Sequence, residues 1–430
     1  MARAATRTSA GDVYRKTELK NGLRVVTETL PGVRSLSLGV WVDVGSRCEA
    51  PEESGLSHFI EHLVFKGTRN RSPREIAASL ESVGGSLNAF TTREHTCFTA
   101  RVLREHLDAA VDVLADITCF ATLSQVNMDR ERQVIGEEIK ESLDNPSDHI
   151  HDLFATTHWD SHPLGQPVMG TVQTIRSVTR RQLLAFRERH YRTGAVVVAA
   201  SGSISHDRLV GLIKRRFRLA TGDRPTALPA RRVDGPRICL RPDDHKQTQF
   251  CLGFTSLPFG HPRRMALMVL SAYLGGGMSS VLFQKIREQR GLAYSVYTFN
   301  DFYRDAGVFG VYLGTDKKHL REAFDLIMKE CRRLQRQTLS PDAFRKVRQQ
   351  MKGQFTIGME STSMRMHRLG RQELMTGSYQ TLAETLAEID RVKPSQVREL
   401  AEEMIDLKRI SVAVLGPANR RLFDDLSRPR

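Results

Sequence analysis

His58-Phe59-Ile60-Glu61-His62 is the stretch from which the rest of the chain is read. It has the form H-x-x-E-H, the reverse of the H-E-x-x-H zinc helix. On a helix, residues four apart stack on one face, so His58 and His62 can aim imidazole nitrogens at one ion. Glu61 follows His58 by three positions, where its carboxylate can reach a water on that ion. Two imidazoles and a carboxylate with a fourth position open make the layout of a hydrolytic zinc site. The flanks favour a helix over 52–66. Leu38–Val44 reads as a buried strand, Pro51-Glu52-Glu53-Ser54 as a helix start, and Leu56, Phe59, Ile60, Leu63 and Val64 recur at helical spacing. A lone histidine here would be a satisfied core residue. A buried Glu61 without a partner would be costly, which speaks against that reading of the pair.

A third ligand is expected from the helix at 128–143, which carries Glu131, Glu137, Glu138 and Glu141. Glu131, Val134, Ile135 and Glu138 fall on one stripe, because seven residues make nearly two turns. Glu137 lies about 100° away and faces outward. Glu138 is therefore the expected ligand and Glu131 an auxiliary carboxylate, with Glu137 and Glu141 on a solvated face.

The chain resembles the pitrilysin-type (M16) zinc metallopeptidases, and within them the short branch akin to the β subunit of the mitochondrial processing peptidase. The matching stretches are HFIEHLVFKGT (58–68), GGSLNAFTTREHT (84–96), ERQVIGEEIKE (131–141), HPLGQPVMG (162–170), LGGGMSSVLFQKIREQRGLAYSVY (274–297) and SMRMHRLGRQEL (363–374), spread over about 13–420. The resemblance implies one Zn²⁺ per chain held by His58, His62 and Glu138. It implies Glu61 as general base toward a zinc-bound water, with Glu131 as accessory acid. Arg287 and Tyr294 match the family's pair that holds substrate and steadies the oxyanion. The strand Ser86–Thr91 matches the family's edge strand, to which an extended substrate adds its backbone, with Asn88, Ala89 and Phe90 in contact. Gly275-Gly276-Gly277 lacks the spacing of a phosphate loop and reads as a turn.

The layout repeats. Strand, two helices, two strands and a helix run through 38–118 and again through 248–336. Between them 218–237 is rich in Pro, Gly and Arg and reads as a linker. The expected fold is α+β, and the resemblance implies two homologous α/β domains of the LuxS/MPP-like metallohydrolase type, each a mostly antiparallel sheet flanked by helices. The expected boundaries are a disordered 1–12, a catalytic domain 13–217, the linker, and a domain 238–430 without metal but with the Arg/Tyr pair.

Composition sets limits. The 430 residues carry 64 Lys and Arg against 49 Asp and Glu, a net charge of +15. The Arg residues are scattered, without interleaved aromatics, so no nucleic acid is expected as partner. No apolar run is long enough to span a bilayer. The start has no apolar core of a secretory signal, and six Cys form no C-x-x-C pair, which suits a reducing, cytoplasmic setting. The expected activity is hydrolysis of peptide bonds in extended peptides. A presequence-processing subunit and a non-catalytic scaffold are the alternatives. Short family members pair as clamshells; since this chain keeps both the metal motif and the Arg/Tyr pair, a homodimer is the simpler expectation.

Overall fold

The computed structural model describes residues 6–7, 13–224, 226–231, 233–244, 246–418 and 420–423. The expected disordered start at 1–12 lies outside them except for Thr6–Arg7, a short strand paired with Tyr14 and Val13. The chain forms two compact units: Met1–Ile139 with Gln166–Leu228 and Thr356–Ala383, and Lys140–Gly165 with Pro229–Phe355 and Glu384–Arg430. The units are thus discontinuous in sequence, unlike the 13–217 and 238–430 division.

The first unit is built on seven strands: β1 (Thr6–Arg7), β2 (Val13–Glu18), β3 (Arg24–Thr29), β4 (Ser35–Val42), β5 (Ser86–Thr91), β6 (Thr96–Leu103) and β7 (Val196–Gly202). Their order is β1-β2-β3-β7-β4-β6-β5, which leaves β5 at one end. Among these described strands only β3 and β7 pair in parallel. Along β4, Leu36, Leu38, Val40 and Val42 point to one core, against the helices α1 (Leu56–Val64), α2 (Pro73–Glu81), α3 (Leu107–Phe120) and α4 (Gln125–Asp144). Trp41 points to the other face, where the helix Thr362–Thr376 brings Met366 and Leu369 against it. Both faces are covered, so β4 is buried along nearly its whole length, with the small residues Ser37 and Gly39 on the Trp41 face, where the Ser37 hydroxyl meets that of Thr362 at 3.0 Å. The fit against that helix is close. A Cβ added at Gly39 would stand 2.4 Å from the Met366 sulfur, and one at Gly370 would stand 2.2 Å from the Trp41 Nε1.

The second unit holds β8 (Arg237–Arg241), β9 (Thr248–Ser256), β10 (Ala293–Phe302), β11 (Gly307–Thr315) and β12 (Ser411–Leu415), ordered β10-β11-β9-β12-β8. Again one pair, β12 with β8, is parallel. Helices Arg264–Gly275 and Leu320–Arg336 pack one face, and helix Pro146–Trp159 packs the other through Ile150, Phe154 and Trp159. Each unit is therefore a mixed sheet flanked by helices. The segment after Gly275-Gly276-Gly277 contains a π-turn at Phe283–Glu288, a local widening that places Arg287 at its end.

Two buried histidines set an acid limit. The His206 ring sits 2.8 Å from each of the Thr27 and Thr17 hydroxyls, and His158 Nδ1 sits 2.9 Å from the Ser411 hydroxyl. Burial pushes His158 down to about 3 and His206 to about 4, from an ordinary 6.5. Between these values the unfolded chain binds protons that the folded rings refuse, so stability falls as pH drops from about 6.5 toward 4. A lower melting temperature at pH 5 than at pH 7.5 is expected, with part of the difference removed by His206→Gln. A melting temperature independent of pH over that range would contradict it.

Candidate metal centre

Helix α1 starts later than the sequence suggests. Pro51–Glu53 form one tight turn, and the α-helix begins at Leu56 after Gly55, whose φ of +96° no β-branched or bulky residue adopts comfortably. From there Leu56, Phe59, Ile60, Leu63 and Val64 are sealed in the core. That burial fixes the rotation of α1 and sends His58, Glu61 and His62 to one side.

The donors converge. One ligand atom each from His58, His62 and Glu138 lie within 4.8 Å of one another. His58 Nε2 stands 3.8 Å from Glu138 Oε1, and His62 Nε2 stands 3.4 Å from Glu138 Oε2. Two donors at zinc bond lengths of about 2.0–2.1 Å and a tetrahedral angle would stand ~3.4 Å apart, so the spacing fits such an ion. Glu138 Oε2 and His58 Nδ1 are both shut from solvent without a hydrogen-bond partner among the described residues. A buried carboxylate oxygen left unpaired beside two imidazoles is an atom that a cation would satisfy. Burial, then the neighbouring His62, push His58 down to about 4, so it offers a neutral lone pair at physiological pH.

Glu131 lies deeper than Glu138. Its Oε2 accepts from His62 Nδ1 at 3.3 Å, and its Oε1 pairs with Lys66 Nζ at 3.0 Å. This fixes His62 with Nε2 toward Glu138, the way outer carboxylates orient metal-binding imidazoles. Glu131→Ala should weaken zinc binding by about 10–100-fold, measured by chelator competition; unchanged affinity would remove the orienting role. The buried stripe of α4 runs through Met128, Glu131, Ile135 and Ile139. Val134 is half exposed, so the stripe as expected is off by one position there. The true centre of the face lies between Glu131 and Ile135, which puts Glu138 at its margin. Glu137 is exposed.

Glu61 has a partner that sequence reading did not assign. The Thr91 hydroxyl, at the end of β5, donates to Glu61 Oε2 at 2.5 Å. Burial raises the Glu61 carboxyl above its usual range, opposed by that bond and by His62 and reinforced by Glu138. A carboxylate so raised is suited to take a proton near neutral pH. Only the position of Thr91 two residues after Ala89, on the same strand face, could have pointed to it.

Strand β5 pairs only with β6 among the described residues, so its outer edge is open. Leu87 and Ala89 pack toward the α1 side, whereas Phe90 turns to the opposite face, its ring 5.7 Å from Trp41 and 5.4 Å from His367. Asn88 is exposed and bonds the Ala89 amide through its own side chain. In the second unit the Arg287 guanidinium lies 4.7 Å over the Tyr294 ring, and that ring is 73% exposed, free to meet a ligand.

Two imidazoles and one carboxylate on an α+β scaffold form the donor class that catalytic zinc sites use. Residues 24–172 match the model of the insulinase family (peptidase family M16), and residues 177–351 match the M16 inactive domain. The chain belongs to peptidase family M16. It is 39% identical over 411 residues to an uncharacterized zinc protease of Streptomyces coelicolor, covering 94% of this chain and 89% of that one. It is 37% identical over 399 residues to an uncharacterized zinc protease of Bacillus subtilis, covering 93% and 97%. A solved protease from Helicobacter pylori is similar with a TM-score of 0.89 at 25% identity, over 94% of this chain and 99% of that one. A peptidase M16 inactive domain from Pseudomonas fluorescens shares the fold, with a TM-score of 0.87 at 17% identity over 94% and 98%.

Proposed function

We propose that this chain is a zinc-dependent endopeptidase acting on extended peptides or unfolded segments. One observation carries the reading: the donors of His58, His62 and Glu138 converge beside a Glu61 carboxyl whose proton affinity is raised. The zinc-protease names of the relatives support the choice of metal. When bound, one Zn²⁺ per chain would supply Lewis acidity, polarising a carbonyl and making water a better nucleophile.

The protein's own residues do the rest. Glu61 takes a proton from the attacking water and returns it to the leaving amine. Thr91 steadies the carboxylate for that exchange. Glu131 acts through His62, holding its ring in one tautomer. Asn88, Ala89 and Phe90 line the open edge of β5 for a substrate backbone, the Ala89 N–H exchanging the Asn88 side-chain oxygen for a substrate carbonyl, which favours extended chains of broad sequence. Arg287 and Tyr294 contribute donors for substrate carbonyls and the developing oxyanion. Among the described residues no helix is long and apolar enough to cross a membrane. We also propose a homodimer, the simpler pairing for a family member that keeps both the metal motif and the Arg/Tyr pair in one chain.

The test is incubation with an unstructured peptide mixture, with and without a chelator, read by mass spectrometry. Internal cleavages that vanish with chelator and return with zinc are expected. Intact peptides throughout, from a chain that has bound zinc, would overturn the peptidase reading.

A further inference from the structure

Helix α1 cannot cap itself. The residue at its N-terminal cap is Gly55, which has no side chain, and the first amides of a helix need acceptors from outside. Glu49 supplies them. Its Oε2 accepts from the Gly55 N–H at 2.7 Å and its Oε1 from the Ser57 N–H at 2.7 Å. The residue is 2% exposed, so this is a buried carboxylate spent wholly on the end of one helix. A negative group is also favoured there by the helix dipole.

The segment that carries Glu49 is itself anchored to the hairpin that follows β5. The Arg47 N–H donates to the Arg93 carbonyl at 2.7 Å, and the Ser46 N–H to the Thr92 carbonyl at 3.3 Å. Arg47 Nη1 pairs with Glu94 Oε1 at 2.7 Å in a buried ion pair. Gly45 allows this approach, since a Cβ there would fall 2.1 Å from the Thr92 carbonyl oxygen. Thr92 adjoins Thr91, the partner of Glu61. A continuous path thus runs from the start of α1 through Glu49 and residues 45–47 to the hairpin, and back through Thr91 to Glu61. His58 is the residue after the amide that Glu49 holds.

We propose that Glu49 is a positioning residue for the metal centre: its carboxylate fixes the depth and rotation of α1, and so sets His58 and His62 against Glu138 and Glu61 against Thr91. The inference rests on the zinc-site reading above. Burial works against the charged form, raising the carboxyl to about 7, while both amide bonds favour it. Each oxygen already accepts an N–H, so a glutamine would have to turn an NH₂ donor toward one of the two amides.

The test uses zinc titrated against a fluorescent chelator, on the full chain, at a temperature where circular dichroism shows the variant folded. Glu49→Gln is expected to weaken zinc binding about 10-fold or more, as loss of an outer support does. It should also lower kcat on a model peptide with KM within about twofold. A residue that only stabilised the fold would lower the melting temperature and leave the zinc Kd unchanged. A folded Glu49→Gln chain that binds zinc as tightly as the parent overturns the proposal. Should Glu49→Gln not fold, Glu49→Asp, which keeps the charge but shortens the reach, is read in its place with the same two outcomes. Absence of zinc binding in the parent chain would instead sink the metal-site reading itself.

Discussion

Glu61→Gln is expected to keep its zinc and to lose peptide hydrolysis by about 10²–10⁴-fold, the usual worth of a positioned general base. The amide is nearly the same shape, so α1 and its buried face are undisturbed. Glutamine can still accept from the Thr91 hydroxyl, as Glu61 does. What disappears is the capacity to take a proton. The carboxyl is built for that exchange, since burial raises its proton affinity while Thr91 and His62 restrain the rise. The readings are metal content per chain and kcat/KM on a peptide cleaved by the parent. Full activity in a zinc-loaded variant would assign the base elsewhere.

The second large effect concerns the third ligand. Glu138→Ala should weaken zinc binding by more than ~100-fold, beyond what loss of an outer-shell partner produces. Glu137→Ala, one residue away, should bind as the parent does. The difference rests on helical geometry. Glu138 places its oxygens 3.8 Å and 3.4 Å from the two imidazole nitrogens, whereas Glu137 is exposed. Metal analysis after dialysis against a weak chelator separates the two. Retention by Glu138→Ala with loss by Glu137→Ala would mean that α4 is turned by one residue, with Glu137 and not Glu138 facing the imidazoles.

Much of this site was legible because it is local. His58 and His62 share one helix, and the apolar spacing of Leu56, Phe59, Ile60 and Leu63 fixes which way that helix turns. Glu138 was reachable through the periodicity of α4, although Val134, placed on the buried stripe by the same arithmetic, is half exposed. Apolar periodicity locates a face only to within a residue or so, because a side chain at the margin is neither in nor out. The late start of α1 was hidden because Pro51-Glu52-Glu53-Ser54 has the chemistry of a helix start, and only the left-handed Gly55 reveals the break.

Long-range contacts were not legible. Nothing in Glu49 announces that it accepts two amides six and eight residues later, and Thr91 resembles any strand threonine. The discontinuity of the two compact units was not legible for a related reason. The helix Thr362–Thr376 shows an apolar stripe through Met366 and Leu369, but a stripe says only that a face is buried, not which sheet covers it. That sheet is formed by β4 and β7 of the first unit, with Trp41 between. Three strands of each sheet, β4, β5 and β6 and then β9, β10 and β11, read well from the pattern repeated in both halves, whereas β1, β2, β3, β7, β8 and β12 were not picked out.

Anomalous diffraction at the zinc absorption edge, on crystals of the zinc-loaded chain, tests the central claim most directly. The expected result is a single peak per chain within about 2.0–2.2 Å of His58 Nε2, His62 Nε2 and a Glu138 oxygen. A peak bound elsewhere, or a fully loaded chain in which Glu138 stays outside bonding distance, would contradict it.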